Sequence, residues 1–201
     1  MTYLFKFAPS FIAVASILSI GCSATDVASD NEGASVEDGV AETSSALQSI
    51  DSKFTSIKPQ GCTKLEEGPA YVKFDCGGLA GYRIITEDAD LRANVQVATA
   101  TKEMDLNVWS GKIGNGGFTS LGDTVDWRGV VNGTTFTPFA ITFRVTSQNV
   151  QYLVVSKISK TQSCQFKVFN ASKHPDANTL ARQTADAART AACPTSIPDP
   201  E

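Results

Sequence analysis

The sequence predicts an α+β domain: a curled antiparallel sheet of short strands with one C-terminal helix packed on it. Three observations carry that expectation. Short segments of alternating apolar and polar residues recur from Ala70 to Phe169, separated by Gly and Asn-Gly punctuation. A single alanine-rich segment near the C-terminus has helical spacing. The strands come first and the helix last, an order that argues against alternating βαβ units.

The strand segments follow in order. In Ala70–Cys76, the side chains of Ala70, Val72, Phe74 and Cys76 share one face, and Gly77-Gly78 ends the run. Tyr82–Thr86 is a second short strand. Asp90–Ala98 alternates again, with Leu91, Ala93, Val95 and Val97 together. Leu106–Trp109 follows, then a turn region around Gly111–Gly117 in which Asn115-Gly116 is a hairpin signal. Phe118–Leu121 and Thr124–Trp127 are short strands, and Asn132-Gly133 leads into Thr134–Phe136 as a second hairpin signal. In Phe139–Val145, the residues Phe139, Ile141, Phe143 and Val145 alternate onto one face. Tyr152–Ile158 is rich in β-branched residues and should pair with it as a hairpin. Cys164–Phe169 is the last strand. A sheet of six to nine strands is expected. The helix should begin at Asp176 or Asn178 and stop before Pro194, burying Ala177, Leu180, Ala181, Thr184, Ala188 and Ala191. On its outer side Arg182 and Asp186, and Asp186 and Arg189, are spaced for ion pairs within the helix.

The chain has 201 residues, 42% apolar and 19% charged, with a net charge of -4. That charge is unevenly placed. Residues 23–52 carry Asp26, Asp30, Glu32, Glu37, Asp38, Glu42 and Asp51 and no Lys or Arg, whereas from Lys53 onward bases slightly outnumber acids. A near-neutral domain excludes a strongly basic nucleic-acid binder, so no nucleic acid is expected as a partner.

The N-terminus reads as an address. Lys6 precedes an apolar run, Phe7–Ile20, that is too short for a ~30 Å hydrocarbon core at ~1.5 Å per residue. This is signal-peptide anatomy over 1–21. Leu18-Ser19-Ile20-Gly21-Cys22 looks like a bacterial lipobox, in which a small residue fits the peptidase cleft and the thiol is alkylated. Ser19 departs from the more usual Leu there. Ordinary cleavage after Ala24 is the alternative. Lipidation at Cys22 implies a membrane anchor, and Ser23 in place of Asp resembles sorting to the outer membrane. Residues 22–52 then read as a lipidated start and an acidic disordered tether, 53–193 as the globular domain and 194–201 as a tail.

Four cysteines remain: Cys62, Cys76, Cys164 and Cys193. An even number in an exported chain predicts disulfides, and four allow three pairings. Cys62 with Cys76 and Cys164 with Cys193 is the expected set, because each pair brackets neighbouring elements. No Cys-x-x-Cys and one His argue against a metal site, and no cofactor motif is present.

The domain resembles a family of uncharacterised exported, disulfide-bonded proteins of Gram-negative bacteria. The residues behind the resemblance are Gly81-Tyr82, Asp90-Leu91-Arg92, Asp126-Trp127-Arg128, Pro138-Phe139-Ala140-Ile141, Val154-Val155-Ser156-Lys157, Ala177-Asn178 and Leu180-Ala181-Arg182. It implies an exported, disulfide-bonded domain and no activity. At the last strand, where members of that family carry Cys-His, this chain has Cys164-Gln165.

Catalytic signals are sparse. His174 is the one histidine, and no Gly-x-Ser-x-Gly elbow occurs. Carboxylate chemistry on glycosidic bonds would have Glu87, Asp88 and Asp90, or Asp123 and Asp126, to draw on. For binding, the candidates are Trp109, Trp127, Arg128, Arg92 and Asp126: an aromatic ring beside charged groups suits a sugar or a protein partner, and the alternative is that both tryptophans are core residues of the sheet. Arg144 is a third strand arginine that would converge with Arg92 and Arg128 on an anion. The functional expectation is a non-enzymatic envelope lipoprotein whose domain binds an envelope protein or glycan. A small carboxylate-dependent hydrolase of envelope glycans and an envelope scaffold are the alternatives.

Overall fold

The computed structural model describes residues 48–201. The expected signal peptide, the lipidation site Cys22 and nearly all of the acidic tether lie outside the described residues. The described residues all fall within one compact unit, Ser44–Glu201.

Among the described residues ten strands and one α-helix form: β1 (Ser49–Ser56), β2 (Thr63–Gly68), β3 (Tyr71–Asp75), β4 (Arg83–Ala89), β5 (Arg92–Ala98), β6 (Glu103–Asp105), β7 (Thr119–Asn132), β8 (Thr135–Ser147), β9 (Val150–Ile158), β10 (Ser163–Asn170) and α1 (Ala177–Ala188). The antiparallel α+β expectation holds, but the strands divide into two five-stranded sheets instead of one larger sheet. The first runs β1-β7-β8-β9-β10 and the second β2-β3-β4-β5-β6. Alternation along a strand says which side chains share a face. It does not say which strands share a sheet, and here the chain changes sheet twice, after β1 and after β6.

The two sheets pack face to face. Ile84, Val95, Val97 and Met104 of the second sheet meet Val125, Trp127, Ile141, Phe143, Val145, Val154 and Val168 of the first in one buried cluster. The Tyr82 and Trp127 rings lie 6.5 Å apart at its centre. Leu106, Val108 and Ile113 join the same cluster from the connection between β6 and β7. Leu106–Trp109 was expected to be a strand; it is a loop that buries Leu106 and Val108, the Val108 N–H donating to Asn94 Oδ1 at 2.9 Å. Asn115-Gly116 likewise closes a 3₁₀ turn, Ile113–Gly116, rather than a hairpin. Each large apolar side chain buried here contributes roughly 1.5–3 kcal/mol of transfer free energy.

The helix covers the other face of the first sheet. Ala177, Ala181, Ala185 and Ala188 pack on Ala140, Leu153, Val155 and Phe169. Alanine is the reason the helix can lie close: it has no side chain beyond Cβ to hold the layers apart. The first sheet is therefore buried on both sides, which accounts for the unbroken apolar run Leu153-Val154-Val155 in β9. The expected ion pairs within the helix do not form. Asp186 instead pairs with Arg128 of β7, and Arg182 with Asp126 of β7.

Phe139 departs from the expected face. Arg128 pairs with Ala140 and Gly129 with Pro138, so Phe139 is an extra residue in a bulge. The bulge turns it toward the helix-side cluster, away from Ile141, Phe143 and Val145. Gly129 permits this register: a Cβ there would sit 2.6 Å from the Phe136 ring.

Both domain boundaries move. β1 starts at Ser49, inside the expected tether, and all eight of its residues pair with β7. At the other end the expected tail is bound. Asn170 N–H donates to the Glu201 carbonyl at 2.7 Å, and Glu201 N–H donates to the Val168 carbonyl at 3.0 Å, so Glu201 pairs with β10. Asp199 bridges to Lys112 at 2.6 Å.

The disulfides are Cys62–Cys76 and Cys164–Cys193. The first ties the entry to β2 to the exit of β3; the second ties β10 to the segment after the helix. With sequence separations of 14 and 29, chain-entropy arithmetic assigns them about 3 and about 3.6 kcal/mol. Disulfides of this kind belong to an oxidising, non-cytoplasmic compartment. Among the described residues no helix is long and apolar enough to cross a membrane.

Candidate functional site

The five candidate binding residues do not form one constellation. Trp127 is a core residue with no accessible surface, and its indole N–H donates to Thr55 Oγ1 at 2.8 Å. Of the two readings of Trp127 the core one holds, and its candidate role in a contact surface is corrected: strand alternation turns its ring between the sheets. Arg128, one residue on, faces the helix and makes a two-pronged contact with Asp186, Nε to Oδ1 at 2.6 Å and Nη2 to Oδ2 at 2.9 Å. That contact holds its proton more firmly than usual. Trp109 is 36% exposed on the loop after β6. Arg92 lies at the end of the second sheet, its guanidinium over the Phe118 ring at 5.8 Å and its Nε donating to the Gly116 carbonyl at 3.2 Å. Arg144 donates to Gln151 and Asn178. The three arginines therefore belong to two different sheets and each is already engaged.

The carboxylates separate in the same way. Glu87 and Asp88 are neighbours on β4 and turn to opposite faces; Asp90 sits in the β4–β5 turn. His174 packs edge-on against Phe169, ring centroids 6.1 Å apart, at the entry to the helix. Among the described residues no group of three or more His, Cys, Asp or Glu side chains is placed to hold a metal.

One cleft does gather predicted residues. The register aligns Phe54 of β1, Asp126 of β7 and Thr142 of β8 in a single row across the helix-side face of the first sheet. The helix leaves this end of the face partly uncovered, and its first turns supply Asn178, Ala181 and Arg182 as the opposite wall. Arg144, Thr124 and Asp123 close the ends of a space of about 250 Å³. Phe54 is 57% exposed and offers an open aromatic face at the rim. Asp126 has a side chain only 17% exposed, with Arg182 Nε 3.6 Å from Oδ2. Its Oδ1 is buried and has no hydrogen-bond partner among the described residues. Arg144 Nη2 donates to Asn178 Oδ1 at 2.9 Å, which holds both groups at the wall. Asp123 is exposed and bridged to Lys58 at 3.0 Å. Asp126 was singled out in the sequence; Phe54, Arg182 and Asn178 were not. Phe54 lies one residue inside the expected domain start, where nothing in its neighbourhood alternates strongly enough to mark a strand.

A second polar arrangement occupies the outer face of the second sheet. Glu87 is buried there, with 6% relative exposure. Its Oε1 accepts from Tyr71 Oη at 2.9 Å, and its Oε2 accepts from Gln96 at 2.9 Å and Asn94 at 3.2 Å. Lys73 lies 3.6 Å from Glu87 and 2.8 Å from Glu103. Burial, and then the hydrogen bond to Glu87, push the Tyr71 hydroxyl up to about 12. The hydrogen bond to Glu103 leads in raising the Lys73 ammonium. Glu87 thus has both oxygens occupied, which is the arrangement of a satisfied structural carboxylate.

A two-sheet sandwich with an alanine-faced helix backing one sheet, and a polar cleft with an aromatic rim beside that helix, is what fold and site define. Comparison of the chain with family models, with curated proteins and with solved structures finds no match.

Proposed function

We propose that this domain is a non-catalytic glycan-binding module of the bacterial cell envelope, held there by a lipid on Cys22. The observation that carries the reading is the row Phe54–Asp126–Thr142 facing Asn178 and Arg182 across the cleft. A sugar ring has apolar C–H faces and a rim of hydroxyls. Phe54 supplies a surface for the first, and the carboxylate, guanidinium and amide groups supply donors and acceptors for the second. A few convergent polar groups in a cleft are the usual form of a small-ligand site. The disulfides support an envelope address, and the lipobox-like Leu18–Cys22 supports the anchor.

Binding to purified peptidoglycan and to a panel of envelope oligosaccharides tests the reading. Phe54→Ala should weaken binding about threefold to tenfold, the worth of an aromatic contact. Asp126→Asn should weaken it further while leaving the protein folded. Undiminished binding in both variants would refute the site. The anchor has its own test: palmitate labelling should disappear in Cys22→Ala.

A second reading has one observation in its favour. Asp123 and Asp126 share the cleft, as a carboxylate-dependent hydrolase of envelope glycans would require. Against it, each already has a cationic partner, Lys58 and Arg182. Release of soluble fragments from peptidoglycan, abolished by Asp126→Asn, would establish hydrolysis and overturn the binding-only reading.

A further inference from the structure

The two sheets do not close on each other along their whole width. Val72 and Phe74 of β3 pair with Asp88 and Thr86 of β4, and these pair in turn with Ala93 and Val95 of β5. Val95 is core, so alternation places Val72 and Phe74 on the inward face of the second sheet. Yet both are only partly buried. Opposite them, Ile57 and Leu121 belong to or pack on the core of the sandwich. Between these walls lies a slot of about 260 Å³, bounded also by Pro59 and Ala93.

Charge at this slot has one sign. Its mouth carries Asp88, Asp123 and Ser120, and among the described residues no Lys or Arg lines it. Asp123 is offset by Lys58. Asp88 accepts one backbone hydrogen bond, from Leu91 N–H at 3.1 Å, and among the described residues no cation lies within salt-bridge distance of it. Glu87 also borders the slot, but its oxygens are taken up by Tyr71, Asn94 and Gln96 on the other face of the sheet. The unmatched charge is therefore the Asp88 carboxylate, set above an apolar floor.

We propose that this slot binds a small organic cation, its apolar body lying between the sheets and its ammonium group at Asp88. An apolar cavity of ~150 Å³ suffices for benzene. The slot therefore has room for an aromatic ring with a short aminoalkyl arm. An anion of the same shape meets Asp88 and finds no counter-charge. The slot meets the glycan cleft at Gly122 and Asp123, but its apolar walls and Asp88 belong to no part of that cleft, and the proposal does not depend on that reading.

The test uses three probes of one shape: phenethylammonium, 2-phenylethanol and 3-phenylpropionate. Their binding to the disulfide-intact protein is measured by ligand-observed NMR at neutral pH. The ammonium probe should bind about tenfold more tightly than the carboxylate, with the alcohol between them. Asp88→Asn keeps the acceptor for Leu91 N–H. It should weaken the ammonium probe about fivefold and leave the alcohol unchanged. Val72→Trp fills the slot and should abolish binding of all three. Equal binding of the ammonium and carboxylate probes overturns the proposal. So does ammonium binding that survives Val72→Trp, that is indifferent to Asp88→Asn, or that is undetectable up to the solubility of the probe. Because Asp88 is at the mouth, its variant remains informative if Val72→Trp fails to fold.

Discussion

Arg128 and Asp186 form the main polar clasp between the helix and the sheet, and removing one partner should cost measurable stability. The guanidinium is 19% exposed and the carboxylate 37%, and they meet through two hydrogen bonds at 2.6 and 2.9 Å. At an effective dielectric near 20 the gross attraction at ~4 Å is about 4 kcal/mol. Desolvation cancels part of it, and hydrogen bonds to charged groups are worth about 1.5–3 kcal/mol net. Arg128→Met keeps most of the stem and removes the charge, so a loss of about 2 kcal/mol is expected. Asp186→Asn keeps one acceptor and should lose about 1 kcal/mol. Urea unfolding of the oxidised protein and of both single variants and the double variant gives the coupling energy directly. A coupling near 1 kcal/mol is expected, with a Tm drop of about 4–8 °C for Arg128→Met, from ~2–4 °C per kcal/mol in a domain of this size. Lys64–Glu67, an exposed pair at 2.8 Å with both side chains about half in solvent, serves as control and should show almost none. Strict additivity of the Arg128 and Asp186 variants, within about 0.3 kcal/mol, would refute the clasp as a source of stability.

Two further outcomes follow from backbone geometry and from titration. The β4–β5 hairpin turns on Asp90 and Leu91, with φ of 52° and 62°, and Leu91 is 59% exposed. A left-handed leucine costs ~1–2 kcal/mol and such turns favour Asp-Gly, so Leu91→Gly should raise stability by about 1 kcal/mol in the same unfolding assay. A destabilised variant would show that the leucine side chain supports the fold. Tyr71 is pushed up to about 12 from an ordinary 10.0, so folding favours its neutral form. Its contribution is fully present below pH ~10 and is lost as pH rises toward 12. Spectrophotometric titration should show one phenol ionising near pH 12 that is missing in Tyr71→Phe, and stability above pH ~10 should fall less steeply in that variant. Ionisation of Tyr71 near pH 10 would refute the buried hydrogen bond to Glu87.

Much of the fold could be read from local pattern. The alternation in β8 and the alanine spacing of α1 reflect burial along a single element, which the sequence records directly. The same applies to the disulfides, whose partners bracket adjacent elements. The site was less legible. Asp126 could be flagged as an acid beside a strand aromatic, but its wall partners come from β1 and from the helix, far away along the chain. Trp127 stayed open between surface and core because an aromatic residue between Asp126 and Arg128 can face either way. On a strand the neighbours point the other way, and only the presence of a second sheet shows that the indole's side is the dry one.

The sequence by itself determined the strand-rich antiparallel character, the single alanine-faced helix near the C-terminus, the four cysteines available for pairing and the uneven charge of the chain, because each depends on residue type and short-range spacing. The tertiary structure decided what those properties meet. It split the strands into two sheets, drew Ser49–Ser56 and Glu201 into the domain, and moved Asp186 from a helix neighbour to Arg128. It also left two gaps where layers diverge, the cleft beside α1 and the slot above β3. Those gaps depend on how far each layer extends over the next. That is a long-range property of packing, and no local period encodes it.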